Sequence, residues 1–108
     1  MRRMILVAAA VAISSTGTQA QDAGDAGRGL EYAQRHCAEC HGVLASDRES
    51  PRPPIATFRA IANTPGMTGT ALAVWLRTPH KNMPNLIVAT EDRADLIAYI
   101  VSLRERPR

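Results

Sequence analysis

The stretch Cys37-Ala38-Glu39-Cys40-His41 decides how this chain folds. It carries the C-x-x-C-H pattern, which reads as a site for covalent attachment of a c-type haem. Two thiols three positions apart lie on one turn of chain, so both can reach the two vinyl groups on one edge of a porphyrin. The histidine directly after Cys40 is then carried under the ring, where its imidazole can ligate the iron from the proximal side. A chain with this motif handles electrons, or small ligands that bind iron.

Other uses of a cysteine pair are weaker. A structural zinc site needs two further Cys or His ligands at similar spacing. The chain has only Cys37 and Cys40, and its other histidines are His36 and His80. A thioredoxin-like redox pair belongs in a βαβ context. A simple disulfide suits an exported protein. The immediate His41 and the helical surroundings argue against all three.

The N-terminus points to export. Arg2 and Arg3 precede an apolar run, Met4 to Ile13, and a small, polar stretch ending Thr18-Gln19-Ala20. This is the anatomy of a secretory signal peptide over residues 1–20, with the cut after Ala20. An uncleaved anchor is the alternative, but the apolar run is short for a membrane span. The expectation is a mature domain over residues 21–108 in the periplasm, without stable membrane insertion. Bacterial c-type haems are attached outside the cytoplasmic membrane, so export and motif imply one another. Both cysteines are then used in thioether bonds and no disulfide remains.

Removing residues 1–20 takes away two arginines and no acids. That leaves 11 basic against 10 acidic side chains, a net charge of +1 rather than +3. Nothing in that balance suggests nucleic acid or a polybasic membrane surface. The aromatics are few: Tyr32, Phe58, Trp75 and Tyr99. So short a chain builds a modest core, and a buried porphyrin would supply the missing apolar bulk.

Helical spacing recurs along the mature chain, with no alternating strand pattern and no internal repeat. Gln21 to Gly27 reads as a frayed tail. A helix is predicted from Arg28 or Gly29 to His36 or Cys37, with Gly29, Tyr32 or Ala33, and His36 inward. Gly42 to Thr57 carries Pro51, Pro53 and Pro54 and reads as an irregular loop. Phe58 to Asn63 is a short helical turn, ended by Thr64-Pro65-Gly66. A second main helix runs from Thr68 or Thr70 to Arg77 or Thr78, with Leu72, Trp75 and Leu76 as its apolar face, stopped by Pro79. The third is N-capped by Thr90, with Glu91 and Asp92 at the positive end of its dipole. Leu96, Ile97, Tyr99, Ile100 and Leu103 make its apolar face, and Arg104 and Arg106 suit its negative end.

On these residues the chain resembles the class I cytochrome c family, of the small bacterial kind, over nearly all of the mature sequence. The resemblance implies an all-α cytochrome c fold, three main helices wrapped around one covalently bound haem c. In that family a glycine on the first helix lets it cross the last helix closely, and an aromatic on the last helix fills the contact. Gly29, eight residues before Cys37, and Tyr99, in Asp95-Leu96-Ile97-Ala98-Tyr99-Ile100, match those positions.

Candidates for the second axial ligand are Met67, Met83, His36 and His80. The family places its methionine in the loop between the second and last main helices, often before a proline. Lys81-Asn82-Met83-Pro84-Asn85 fits, and Met83 lies 42 residues after His41. The resemblance therefore implies His41 and Met83 on the iron, with Met67 as a gap-filling contact. A ligating histidine donates its other ring nitrogen to a carbonyl or carboxylate. In the family a loop proline carbonyl accepts it, which suggests Pro53, or Pro54 beside it. Trp75, Arg77 and Lys81 are candidates for the propionates or the exposed edge; the alternatives are core packing for Trp75 and solvated charge for the others.

The expected function is that of a soluble, monomeric, monohaem electron carrier between redox proteins, with no catalytic residues and no enzyme activity of its own. Two alternatives stay open. One is a haem-based sensor or ligand-binding protein with an open sixth site. The other is the electron-entry subunit of a larger oxidoreductase complex.

Overall fold

The computed structural model describes residues 24–78, 83 and 88–106. The expected signal peptide over residues 1–20, the ligand candidate His80, and Pro79, Lys81 and Pro84 lie outside the described residues. Four helices follow in order: α1 (Ala26–His36), α2 (Phe58–Ala62), α3 (Gly69–Trp75) and α4 (Thr90–Ser102). No strand occurs among the described residues.

Three of the helices start on a capping side chain. The Asp25 carboxylate accepts from the Arg28 amide at 2.9 Å. The Thr57 and Thr68 hydroxyls accept from Ala60 and Ala71, each at 3.1 Å. Each satisfies one amide that the first turn leaves without an internal partner. Asp25 explains why α1 begins at Ala26, inside the stretch expected to fray. Gly24 is also packed: a Cβ there would lie 2.2 Å from the backbone carbonyl of Ala94 on α4. Between α2 and α3, Gly66 turns the chain at φ 80, where side-chain-bearing residues are strained. The helix α3 stops at Trp75, short of the expected Arg77 or Thr78. Beyond it the bonds tighten to i→i+3, from Arg77 N to Val74 O and from Thr78 N to Trp75 O.

The start of α4 differs from the sequence reading. Its N-cap is Ala89, in extended geometry and with no side-chain cap bond, and Thr90 is the first helical residue. The Ala89 carbonyl opens the helix by accepting from Arg93 N at 2.8 Å, so Thr90 is already inside the ladder. Glu91 and Asp92 do occupy the first turn, where the helix dipole favours them.

The centre of the fold is the crossing of α1 and α4. Gly29, Tyr32 and Ala33 are buried on one helix; Asp95, Leu96, Tyr99 and Ile100 on the other. A Cβ at Gly29 would lie 2.0 Å from the Asp95 carbonyl oxygen and 2.7 Å from the Tyr99 Cβ. Only hydrogen fits between the two backbones, as expected for Gly29 and Tyr99. His36, expected inward, is instead exposed. One turn beyond Tyr32, it covers that ring at a centroid distance of 4.4 Å.

A charged residue completes the crossing. Asp95 is 7% exposed. Its Oδ1 accepts from the Asp25 amide at 2.6 Å, and its Oδ2 from Arg28 Nε at 2.8 Å. The Arg28 hydrogen bond, and after it the Asp25 amide, hold the carboxyl below the usual range. The core is otherwise modest: Tyr32, Ala33, Val43, Phe58, Ala62, Leu72, Val88, Leu96, Tyr99 and Ile100. From α3 only Leu72 joins it, whereas Val74 and Trp75 are about half exposed, at 53% and 50%.

Candidate functional site

Cys37 follows directly on α1 and is its C-cap, with its amide bonded to Ala33 O at 2.8 Å. The chain then closes a tight turn. The amides of Cys40 and His41 both reach the Cys37 carbonyl, at 3.2 and 2.9 Å. The attachment motif is thus rigidly continuous with α1. The two cysteines are not joined by a disulfide. Burial pushes the Cys37 thiol up to about 11. A thiol that stays protonated at neutral pH is a poor partner for disulfide exchange, which needs the thiolate. On that count Cys37 is a poor nucleophile for a redox pair.

The loop after the motif is pinned to it. Gly42 N donates to Ser50 Oγ at 3.0 Å, and the Gly42 carbonyl accepts from Phe58 N at 2.8 Å. A side chain at Gly42 has no room, since a Cβ would come within 2.7 Å of Glu49 O. Tyr99 reaches from α4 to the same segment, its hydroxyl donating to the Val43 carbonyl. The loop therefore returns beside His41 at its far end, just before α2.

That path decides which carbonyl meets His41. Nδ1 of His41 lies 2.7 Å from the carbonyl oxygen of Ala56. The expected acceptors, Pro53 and Pro54, are exposed and joined by a cis peptide bond. They belong to a turn in which Ile55 N bonds back to Arg52 O at 3.0 Å. The Phe58–Gly42 bond draws residue 56, not residue 53, alongside the imidazole. A carbonyl only accepts, so Nδ1 carries the proton, and in the neutral ring Nε2 is the nitrogen with the lone pair. Phe58, 4% exposed, packs against the ring with centroids 5.2 Å apart, which fixes its plane. An imidazole oriented in this way, one residue after two cysteines on a turn, is the donor set that haem c requires.

The other candidates are spread around the fold. Met83 is half-buried at a bend. Met67 packs against the core, with its amide on Thr64 O at 3.0 Å and its carbonyl taken by Arg104. Arg77 is exposed and folds back onto α3, Nε to Ala73 O at 3.0 Å. Arg52 pairs with Glu39, between the two cysteines, at 2.9 Å, but both are exposed and the pair adds little. An open cavity of about 330 Å³ beside Asn63, Met67 and Arg104 includes none of Cys37, Cys40 or His41. Among the described residues no group of three or more His, Cys, Asp or Glu side chains gathers to hold a metal ion. No described helix is long and apolar enough to cross a membrane.

Two participants escaped the sequence reading. The Ala56 carbonyl is backbone, which any residue supplies, so no side-chain signal marks it. Asp95 had a signal: it stands one turn before Tyr99, a carboxylate on the face that the crossing buries.

Comparison with known proteins agrees with this geometry. The family model for cytochrome c matches residues 26–104. Cytochrome c-552 of Bradyrhizobium diazoefficiens is 36% identical over 102 residues, covering 94% of each chain. No solved structure matches significantly.

Proposed function

The chain belongs to the cytochrome c family, whose cofactor is covalent haem c and whose role is electron transfer; from that premise we propose an exported, monomeric one-electron carrier. Residues 1–20 serve as its signal peptide and residues 21–108 as its periplasmic domain. Cys37 and Cys40 form the thioethers, and His41 and Met83 fill the two axial positions. When bound, the haem supplies a one-electron iron couple, and a thioether ligand raises its potential.

The observation that carries this reading is the 2.7 Å bond from His41 Nδ1 to Ala56 O. It holds the imidazole in the tautomer whose Nε2 is free to bind metal, and it raises the basicity of that ligand. Phe58 keeps the ring from turning. Met83 is favoured over Met67 because Met67 is already engaged with the core and its backbone is tied to Arg104. With both axial positions filled by protein, a substrate has no route to the iron, so the isolated chain is a carrier and not an enzyme. Its partners are redox proteins as donor and acceptor, met by brief docking.

Met83→Ala should open the iron to added ligands and abolish the weak iron–sulfur charge-transfer band of the oxidised form; Met67→Ala should leave that band in place. The opposite pattern would show that the wrong methionine was chosen. Tight carbon monoxide binding to the unmodified ferrous protein would favour a sensor instead. Mass spectrometry of exported protein under denaturing conditions should show a chain beginning at Gln21 with one haem attached, and release of haem into acidified organic solvent would count against the thioethers.

A further inference from the structure

From Leu44 to Ala56 the loop after the attachment motif runs over the surface, and Ser50, 7% exposed, is the one buried residue in it. Its hydroxyl accepts from the Gly42 amide at 3.0 Å. The Gly42 carbonyl is taken by Phe58 N at 2.8 Å. The residue next to His41 therefore holds the loop at two points, its middle through Ser50 and its end through Phe58. The loop also crowds that glycine, since a Cβ there would lie 2.7 Å from Glu49 O and 3.0 Å from both Asp47 Cβ and Thr57 Cγ2. Ala56, whose carbonyl meets His41 Nδ1 at 2.7 Å, lies between the two points of attachment. Its own side chain is an exposed methyl group, which fixes nothing. An aliphatic residue in place of Ser50 would fill the same space but leave the buried Gly42 amide without its acceptor, which is costly.

We propose that Ser50 is a positioning residue for His41: by holding the Gly42 amide it sets the loop path that delivers the Ala56 carbonyl to Nδ1. Resting on the assignment of His41 to the iron, the inference adds which side chain keeps the partner of its ring in place. Ser50 acts through the backbone of the loop and not on the imidazole itself. The consequence is felt at the ligating nitrogen. A carbonyl on Nδ1–H makes the imidazole a more basic ligand. A more basic ligand favours ferric over ferrous iron and so lowers the potential. Loosening the bond from His41 to Ala56 therefore raises it.

The test uses the holoprotein with its histidines labelled with heavy nitrogen. It reads two quantities: solvent exchange of the His41 Nδ1 proton, followed by NMR in the ferrous form, and the reduction potential. Ser50→Ala should speed exchange by about fivefold to a hundredfold, the factor for leaving one buried amide without its acceptor, and should shift the potential upward. Ser50→Thr, which keeps the hydroxyl, should lie closer to the unmodified protein on both. Thr68→Ala removes the same kind of bond, hydroxyl to amide at 3.1 Å, from the start of α3, and should move neither. Unchanged exchange and potential in Ser50→Ala overturn the proposal. So do equal shifts in Ser50→Ala and Thr68→Ala, which would reveal general loosening. Should Ser50→Ala fail to accumulate, the unmodified protein decides: its Gly42 amide should be protected at least as well as the His41 Nδ1 proton, and a freely exchanging Gly42 amide overturns the proposal as well. The imidazole shifted furthest by the haem ring current separates the two levels of inference: if it is that of His36 or His80, the ligand assignment has failed and not merely the role of Ser50.

Discussion

Replacing Gly29 with alanine adds one carbon at the tightest point of the fold. That carbon would stand 2.0 Å from the Asp95 carbonyl oxygen, 2.6 Å from its carbon and 2.7 Å from the Tyr99 Cβ. Non-bonded carbons sit comfortably at about 3.5–4.0 Å, so α4 must retreat by roughly 1 Å or more at this point. The obstructing atoms are helix backbone and a Cβ, none of which can rotate away. Retreat loosens Tyr32 and Ala33 against Leu96, Tyr99 and Ile100 together. Overpacking costs about 1–3 kcal/mol, and the rigidity of the obstacle places this case near 3. Removing a glycine from a helix returns about 1 kcal/mol, for a net loss of about 2 kcal/mol. In a domain of this size the loss corresponds to a melting temperature lower by about 8–16 °C. Urea denaturation of the holoprotein, followed by helical circular dichroism, should show a lower midpoint at unchanged slope. Gly69→Ala is the matched control, because a Cβ there meets only Ile97 Cγ2 at 3.4 Å. A Gly29→Ala protein as stable as the unmodified one, or moved no further than Gly69→Ala, would refute the close-approach argument.

Three further outcomes are expected. The Asp95 carboxyl is held below its usual range by Arg28 and the Asp25 amide, so its stabilising effect is present above the unfolded value of about 3.9 and fades as pH falls through the lower folded value. Asp95→Asn should therefore lower the denaturation midpoint at neutral pH and flatten its further decline in acid; parallel acid limbs would contradict this. Tyr99→Phe leaves the buried Val43 carbonyl without its donor and should cost about 1–3 kcal/mol, read as a urea midpoint shift. Electron exchange between the protein cut after Ala20 as proposed, whose net charge would be +1 instead of the +3 of the full chain, and a small redox protein should fall only a few-fold as salt rises to about 0.15 M, because long-range steering is weak. A steep decline, measured by stopped-flow, would point to a strongly charged docking face.

The crossing was readable in the sequence because Gly29 and Tyr99 each carry a residue-type signature at a fixed offset from a motif or a helix. The motif itself was readable because its chemistry is local: two sulfurs and an imidazole within five residues. The partner of His41 was not, since it is a carbonyl whose position depends on how the 42–57 loop returns to Phe58. Pro53 and Pro54 drew attention by their type, but their turn points them to solvent. The Thr90 cap failed by one residue, because a capping type next to a helix start does not say whether it lies outside the first turn or within it. Trp75 read as part of an apolar stripe, whereas α3 ends there and leaves the ring half exposed. Asp95 is a charged residue inside the crossing, and the approach of Arg28 and the Asp25 amide explains its burial.

Cys37 is the residue at which α1 ends, so the cofactor is anchored to the first helix and travels with it. For a reversibly held group, stability rises with the logarithm of its free concentration, and dilution strips it away. Here attachment removes that variable. Opening the crossing of α1 and α4 does not release the attached haem, and closing presents it again as an intramolecular neighbour at high effective concentration. Folding of the finished protein is then first order, independent of both free haem and protein concentration.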